Sequence, residues 1–519
     1  MSTVAAVELV IVLLIAVSIV ALVTSRLKIP YTIALVFAGI GIDLFHIPIM
    51  GVIGAGGQER LLTPEVIFVL FLPGLLFESA INIDVAHLRE NLRPILLLAV
   101  AGVALATAIT GYAIGTFLGL PLVIAMLFGA LISATDPVSV IALFKDLNAN
   151  KRLAVIVEGE SLFNDGTAAV IFQVILAAAV TGQFSLTEGL RHFVTVAIGG
   201  AGLGVLVGYA ASHITAQVDE PRIEITLTTI VAYGSYLLAE SLHVSGVIAV
   251  VAAGVTVGNY GALFGMTPRT RVALWSFWEY FAFVINSLVF LLVGIEVHVS
   301  EMLGSWRSIL LAAAAVLLGR MIVVYGLSPL SALFGQRLRV SWQHVLFWGG
   351  LHGSVSIALA LSLPVNLPHR AELLTMTFGV VAFSILVQGL TMKPLLRWLN
   401  LVEGGGEEFS MLKARQMALA AAGRELSSLA GTHFITPATE RALAQELEHE
   451  RGEIETGIRG MQEDTPGLVD EEVRVARLRL IHAEQSAIQR AAIEGAVPAN
   501  VAEHLLAGAA ERIQKLTRS

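Results

Sequence analysis

The ten residues from Glu158 to Thr167 read Glu-Gly-Glu-Ser-Leu-Phe-Asn-Asp-Gly-Thr, placing three carboxylates, an amide and two hydroxyls in or beside one long apolar helix. A lone charge in such a helix costs roughly 2.5–3.5 kcal/mol on insertion scales, so a cluster of this kind is kept for a purpose. At 3.6 residues per turn, Glu158, Ser161 and Asp165 share one helix face, while Glu160 and Asn164 share another, about 140° from Asp165. Asp165 is therefore the best candidate for a carboxylate left without a permanent counter-ion, with the Ser161 hydroxyl beside it. Such a group can hold either a proton or a hard cation such as Na⁺.

The basic residues give the sharpest contrast. Of the seventeen Lys and Arg residues before position 393, only Arg320 falls well inside an apolar stretch. Its guanidinium keeps its charge, so it must find an anion, and Glu160 is the partner expected from the sequence. Two readings of that pair stay open at this point: a lock between two helices, or a direct part in ion binding.

A second polar group precedes the cluster, Ser133-Ala-Thr135-Asp136-Pro137. Proline removes a backbone donor and pushes the preceding residue out of the α region, so this helix should break at Thr135 and Asp136. The second half of the chain has an analogous weak point, Gly349-Gly350-Leu-His352-Gly353-Ser354. Broken helices at mid-membrane depth line sites, and their freed carbonyls and amides can coordinate ions. Two interruptions, one per half, are the pattern of an inverted-repeat transporter with a central crossing.

The elements that must position these residues are membrane spans. Hydrophobic residues make up 56% of the chain and the mean hydropathy is +0.80. Apolar stretches recur at about the 20 residues a bilayer demands. Thirteen are expected, at about 6–24, 29–45, 61–80, 93–118, 121–145, 153–180, 190–213, 223–240, 244–259, 270–297, 307–332, 341–363 and 372–397. The fold class is thus an all-α polytopic membrane protein with a soluble helical tail. The first span has no basic segment before it, carries Glu8 and is followed by Arg26 and Lys28, so it reads as a retained helix rather than a cleaved signal peptide.

With this count, the odd-numbered loops hold twelve basic residues, among them Lys28 and Arg337, and the even-numbered loops hold four, among them Arg60. The positive-inside bias then puts the N-terminus outside and the C-terminus in the cytoplasm of a cell (inner or plasma) membrane protein. The absence of cysteine excludes disulfides, thiolate metal sites and a cysteine nucleophile.

Residues 1–402 form the transmembrane domain, and the composition changes at 403. Gly404, Gly405 and Gly406 form a joint, and residues 403–519 carry 13 basic and 19 acidic residues among helix-forming Ala, Leu, Glu and Arg. The net charge of −8 is mostly this tail's. Stretches 413–430, 437–460 and 470–494 have the spacing of amphipathic helices. This cytoplasmic helical tail is expected to meet an unknown ligand or partner. No nucleic-acid partner is expected.

The run Glu158-Gly-Glu-Ser-Leu-Phe-Asn164-Asp165, with Thr135-Asp136-Pro137 before it and Gly349-Gly-Leu-His-Gly353 after it, resembles the monovalent cation/proton antiporters of the first type. These are the NhaP-like bacterial branch of the sodium/proton exchanger family, and the likeness covers residues 1–400 or so. The resemblance implies homodimers of thirteen-helix protomers serving pH homeostasis. It implies a core at about 93–180 and 307–397 and a dimerisation side at about 6–80 and 190–297. By the same likeness Asp165 matches the acid that binds the exchanged ion, with Asn164, Ser161 and the backbone at Thr135 as its neighbours. Asp136 belongs to the same ion-binding group. Glu160 and Arg320 match a structural ion pair, and Glu78, in Phe77-Glu78-Ser79, resembles a glutamate near the ion pathway.

One departure concerns His352, where much of the family has arginine. A fixed cation there offsets the negative end of a helix dipole. Histidine makes that charge conditional on pH, which suggests a pH response, with a neutral histidine bonded to a backbone carbonyl as the alternative.

The function expected is secondary active exchange of Na⁺ (or Li⁺) for H⁺ by alternating access. Asp165 with Na⁺ and protonated Asp165 have the same net charge, so exchange should be one for one and electroneutral, and Asn164 cannot add a second proton. No cofactor, tightly bound metal or enzymatic activity is expected. A K⁺/H⁺ antiporter of the same fold is the alternative within the class. An intramembrane aspartyl protease using Asp136 and Asp165 leaves the broken helix and Arg320 unexplained. A cation channel needs a continuous polar lining, whereas the polar groups here gather at one depth.

Overall fold

Backbone N–H and C=O groups in lipid must be satisfied within the segment, which leaves helices as the means for a chain this apolar to cross. The computed structural model describes residues 3–27, 31–44, 66–401 and 406–464. Short gaps fall at 148–149, 183–184, 219, 263–265, 297–301, 303, 335–337, 400 and 433, and scattered residues beyond 464 are also described. Lys28, Arg60, Arg337, Gly404, Gly405, positions 61–65 and much of the 470–494 stretch lie outside the described residues. Every regular element among the described residues is helical. Two units result, residues 1–402 and residues 403–519.

The first unit opens with α1 (Thr3–Leu27), α2 (Tyr31–Leu44) and α3 (Leu72–Asn82), the last entered through a π turn at Val66–Phe71. Next come α4 (Val85–Leu96) and α5 (Val103–Leu118), joined without a break by a second π turn, Leu97–Gly102. Then follow α6 (Leu122–Ile132), α7 (Val138–Asp146), α8 (Lys151–Thr181), α9 (Leu186–Thr215), α10 (Pro221–Ser241), α11 (Gly246–Thr256) and α12 (Pro268–Glu296). The unit closes with α13 (Trp306–Leu327), α14 (Val340–Trp348), α15 (Ser354–Leu361), α16 (Arg370–Phe383) and α17 (Leu390–Trp398). A π turn at Ser384–Gly389 fuses the last two.

By length and composition, seven helices among the described residues can cross a membrane, and Tyr31–Leu44, Phe68–Asn82, Leu122–Ile132 and Gly246–Gly261 are shorter apolar helices. The rod Val85–Leu118 starts eight residues before the expected 93, because Asp84 caps it by accepting from Ala86 N and His87 N. Its 34 residues extend about 51 Å, well beyond a hydrocarbon core of about 30 Å. The extra turns hold Arg89 and Glu90, which a hydropathy reading trims away.

Helix pairs close through small residues, as membrane packing favours. Gly39 of α2 and Gly294 of α12 face each other, and a Cβ on Gly39 would strike the Leu291 carbonyl and lie 2.7 Å from Gly294 Cα. In the second unit, α18 (Gly406–Gly431) and α19 (Pro437–Asp464) pack through Ile454 and Ile458 with Leu412, Leu419 and Met461.

Candidate ion-binding site

The two interruptions expected from the sequence are present. α6 stops at Ile132 and α7 begins at Val138, while α14 stops at Trp348 and α15 begins at Ser354. The unwound segments lie against each other: Asp136 N donates to Leu351 O at 2.7 Å, and both His352 Nδ1, at 3.1 Å, and Ser356 Oγ, at 3.2 Å, donate to Ala134 O. A carbonyl only accepts, so the His352 nitrogen facing it carries the proton. The approach is close enough to require glycine, since a Cβ on Gly353 would overlap the Asp136 carboxylate. Asp136 Oδ1 accepts from Val138 N at 2.9 Å and thereby caps α7. A carboxylate at a helix N-terminus is favoured by the dipole as well as the bond.

α8 passes this crossing uninterrupted and presents the polar cluster to it. Ser161 Oγ donates to the Thr135 carbonyl. Asn164 spends its whole amide: Nδ2 donates to Thr135 Oγ1 at 2.7 Å and to Glu160 Oε1 at 3.2 Å, and Oδ1 accepts from Thr135 N at 3.3 Å. Asn164 is fully buried and Glu160 is 2% exposed. With its donors and acceptor used, Asn164 acts as a strut between α8 and the unwound backbone.

Arg320 of α13 meets Glu160 as a bidentate pair, Nη1 to Oε1 at 2.8 Å and Nη2 to Oε2 at 3.1 Å. Nε and Nη2 also donate to Leu346 O, at 3.2 and 2.9 Å. Leu346 lies in the last turn of α14, so the guanidinium neutralises Glu160 and also balances the negative end of that half-helix. The charge whose balance His352 left in doubt is thus met by Arg320. Gly350 lets the arginine in, because a Cβ there would lie 2.8 Å from Arg320 Nε.

Asp165 completes the arrangement. It is 8% exposed, and its Oδ1 is buried with no hydrogen-bond partner among the described residues. An unsatisfied buried acceptor costs about 1–3 kcal/mol, more when charged. A proton or a bound cation would supply the missing partner, and either would compete for the same atom.

Glu78 is placed differently. Half-buried near the end of α3, it accepts from Asn82 Nδ2 at 2.8 Å, so it is engaged at a helix end rather than in the hydrogen-bonded cluster around Thr135.

Two residues beyond the sequence reading support the crossing. Ser384 Oγ accepts from His352 N at 3.1 Å, and Gln388 Nε2 donates to Trp348 O at 3.1 Å. Both are buried in the π turn between α16 and α17, and they hold the two ends of the second interruption. Their signal was available: two polar side chains four apart, on one face of an otherwise apolar stretch.

Helices broken at mid-length, crossing beside one unpartnered buried carboxylate and one neutralised ion pair, define a membrane carrier for a small cation. The chain belongs to the sodium/hydrogen exchanger family: the transmembrane model of that family matches residues 11–398. Membership places it among multi-pass membrane transporters rather than enzymes. It is 44% identical over 397 residues to the Na⁺/H⁺ antiporter ApNhaP of Aphanothece halophytica, covering 76% of this chain and 74% of the relative. Likeness to the Na⁺/H⁺ antiporter NhaG of Bacillus atrophaeus is 38% over 487 residues, 93% of this chain and 92% of that one. In fold it is similar to the sodium proton antiporter MjNhaP1 of Methanocaldococcus jannaschii. The TM-score is 0.61 at 22% identity, over 77% of this chain and 99% of the other.

Proposed function

We propose that the protein exchanges one Na⁺ for one H⁺, with Asp165 as the group for which the two compete. The observation that carries this reading is the buried Asp165 Oδ1 without a partner, next to a Glu160 whose charge Arg320 already offsets. Asp165 with Na⁺ and Asp165 with H⁺ are equally charged, so exchange is electroneutral. Ser161 and the Thr135 backbone supply neighbouring oxygens, Asn164 fixes the unwound segment, and Asp136 holds the N-terminus of α7. Glu78 is assigned to the approach to the site.

Alternating access follows from motion of a core, about residues 93–180 and 307–397, against a dimerisation side, about 6–80 and 190–297, in a homodimer of thirteen-span protomers. The N-terminus lies outside and the 403–519 tail in the cytoplasm of the cell membrane.

The test is dye-quenching in everted vesicles over Na⁺, Li⁺ and K⁺ at several pH values. Wild type should dequench with Na⁺, and Asp165→Asn should give no response to any of the three ions while eluting as a folded dimer in detergent. Retained exchange in Asp165→Asn would refute the assignment, and a response to K⁺ alone would make the protein a K⁺/H⁺ antiporter.

A further inference from the structure

At the far end of the same helices, three side chains from three segments meet. Arg152, in the first turn of α8, and Arg339, which precedes α14, both lie over the ring of Trp342, at 5.6 and 5.8 Å from its centroid. Trp342 is buried and both arginines are exposed. Arg152 is further fixed by Asn91 of α4, whose Oδ1 accepts from Arg152 Nε at 2.7 Å and whose Nδ2 donates to His87 O at 2.8 Å. Neither arginine is ion-paired among the described residues. The indole attracts both cations but leaves their charge in place. Two guanidiniums held on one ring repel each other, and an anion with several oxygens relieves that repulsion through paired N–H donors.

Depth decides which anion. α14 has nine residues between Arg339 and the break, about 14 Å of helix, or half the hydrocarbon thickness. That puts Arg339 and Trp342 at the level of lipid headgroups, where tryptophan collects. Val340, next to Arg339, is 62% exposed and offers an apolar surface to an acyl chain. Basic pockets between transmembrane helices suit anionic headgroups.

We propose that Arg152 and Arg339, held on Trp342, bind the phosphate of an anionic membrane lipid. The site is independent of Asp165 and is tested without measuring transport. A photoactivatable phosphatidylglycerol, reacted with the full-length wild-type protein in phosphatidylcholine nanodiscs, should label the peptides containing Arg152 and Arg339–Trp342 above all others. In Arg152→Gln/Arg339→Gln, affinity for phosphatidylglycerol should fall roughly 25-fold, while the control Arg222→Gln binds as wild type. Arg152→Lys/Arg339→Lys should bind between the two, since charge is kept and the paired-donor geometry is lost. Labelling confined to other peptides, or undiminished affinity in the glutamine double variant, would overturn the proposal. Inorganic phosphate displacing the probe at equal concentration would overturn its lipid source.

Discussion

At the scale of single residues, the Glu160–Arg320 pair joins two charges that each need the other. Its side chains are 2% and 14% exposed, and removing one partner of a buried pair leaves the other charge stranded at about 3–5 kcal/mol. Glu160→Ala should therefore cut the yield of folded protein and its thermal stability, as read by fluorescence-detected size exclusion, before transport can be assayed. The pairing was legible because Arg320 is the one basic residue well inside an apolar stretch and must find an anion there. His352 is the contrasting case. Its residue type suggested a charge that follows pH, but its place, buried and donating from Nδ1 to Ala134 O, asks only for one N–H donor. Glutamine supplies such a donor, so His352→Gln should keep activity with an unshifted pH profile in vesicle assays. A displaced profile would show that the ring's charge matters.

Local chain chemistry announced the two interruptions at the level of elements. Proline after Asp136 weakens the helix at the residues before it, and the glycines clustered around His352 lower helix propensity there, so those breaks could be read from the sequence. What sequence could not supply is the partner of each freed backbone group. Ser384 and Gln388 reach the second interruption from a helix that follows it, across a π turn that no propensity marks. Gln388→Leu should leave the Trp348 carbonyl without its donor, at a cost of about 1–2 kcal/mol. The apparent Na⁺ affinity in the dye assay should weaken roughly tenfold. Ser384→Ala should act in the same direction and less strongly. Helix ends were the least legible feature, as in the rod from Val85, where polar turns outside the lipid continue a helix that hydropathy alone would end.

For the molecule as a whole, charge balance is the property to measure. If one carboxylate carries either cargo and Asn164 carries none, a full cycle moves no net charge. Proteoliposomes clamped by potassium diffusion potentials of either sign should then exchange Na⁺ for H⁺ at the same rate as at zero potential. A rate that follows the imposed voltage would require a second titrating group in the cycle. The tail, residues 403–519, brings its own small core between α18 and α19.

The seam between Gly39 and Gly294 constrains any motion of the bundle. There backbone rests directly on backbone, with not even a methyl group between, so neither helix can slip lengthwise without collision. If the proposed cycle slides helices past one another, α2 and α12 are expected to move as one girder, with the shear taken up along a different joint.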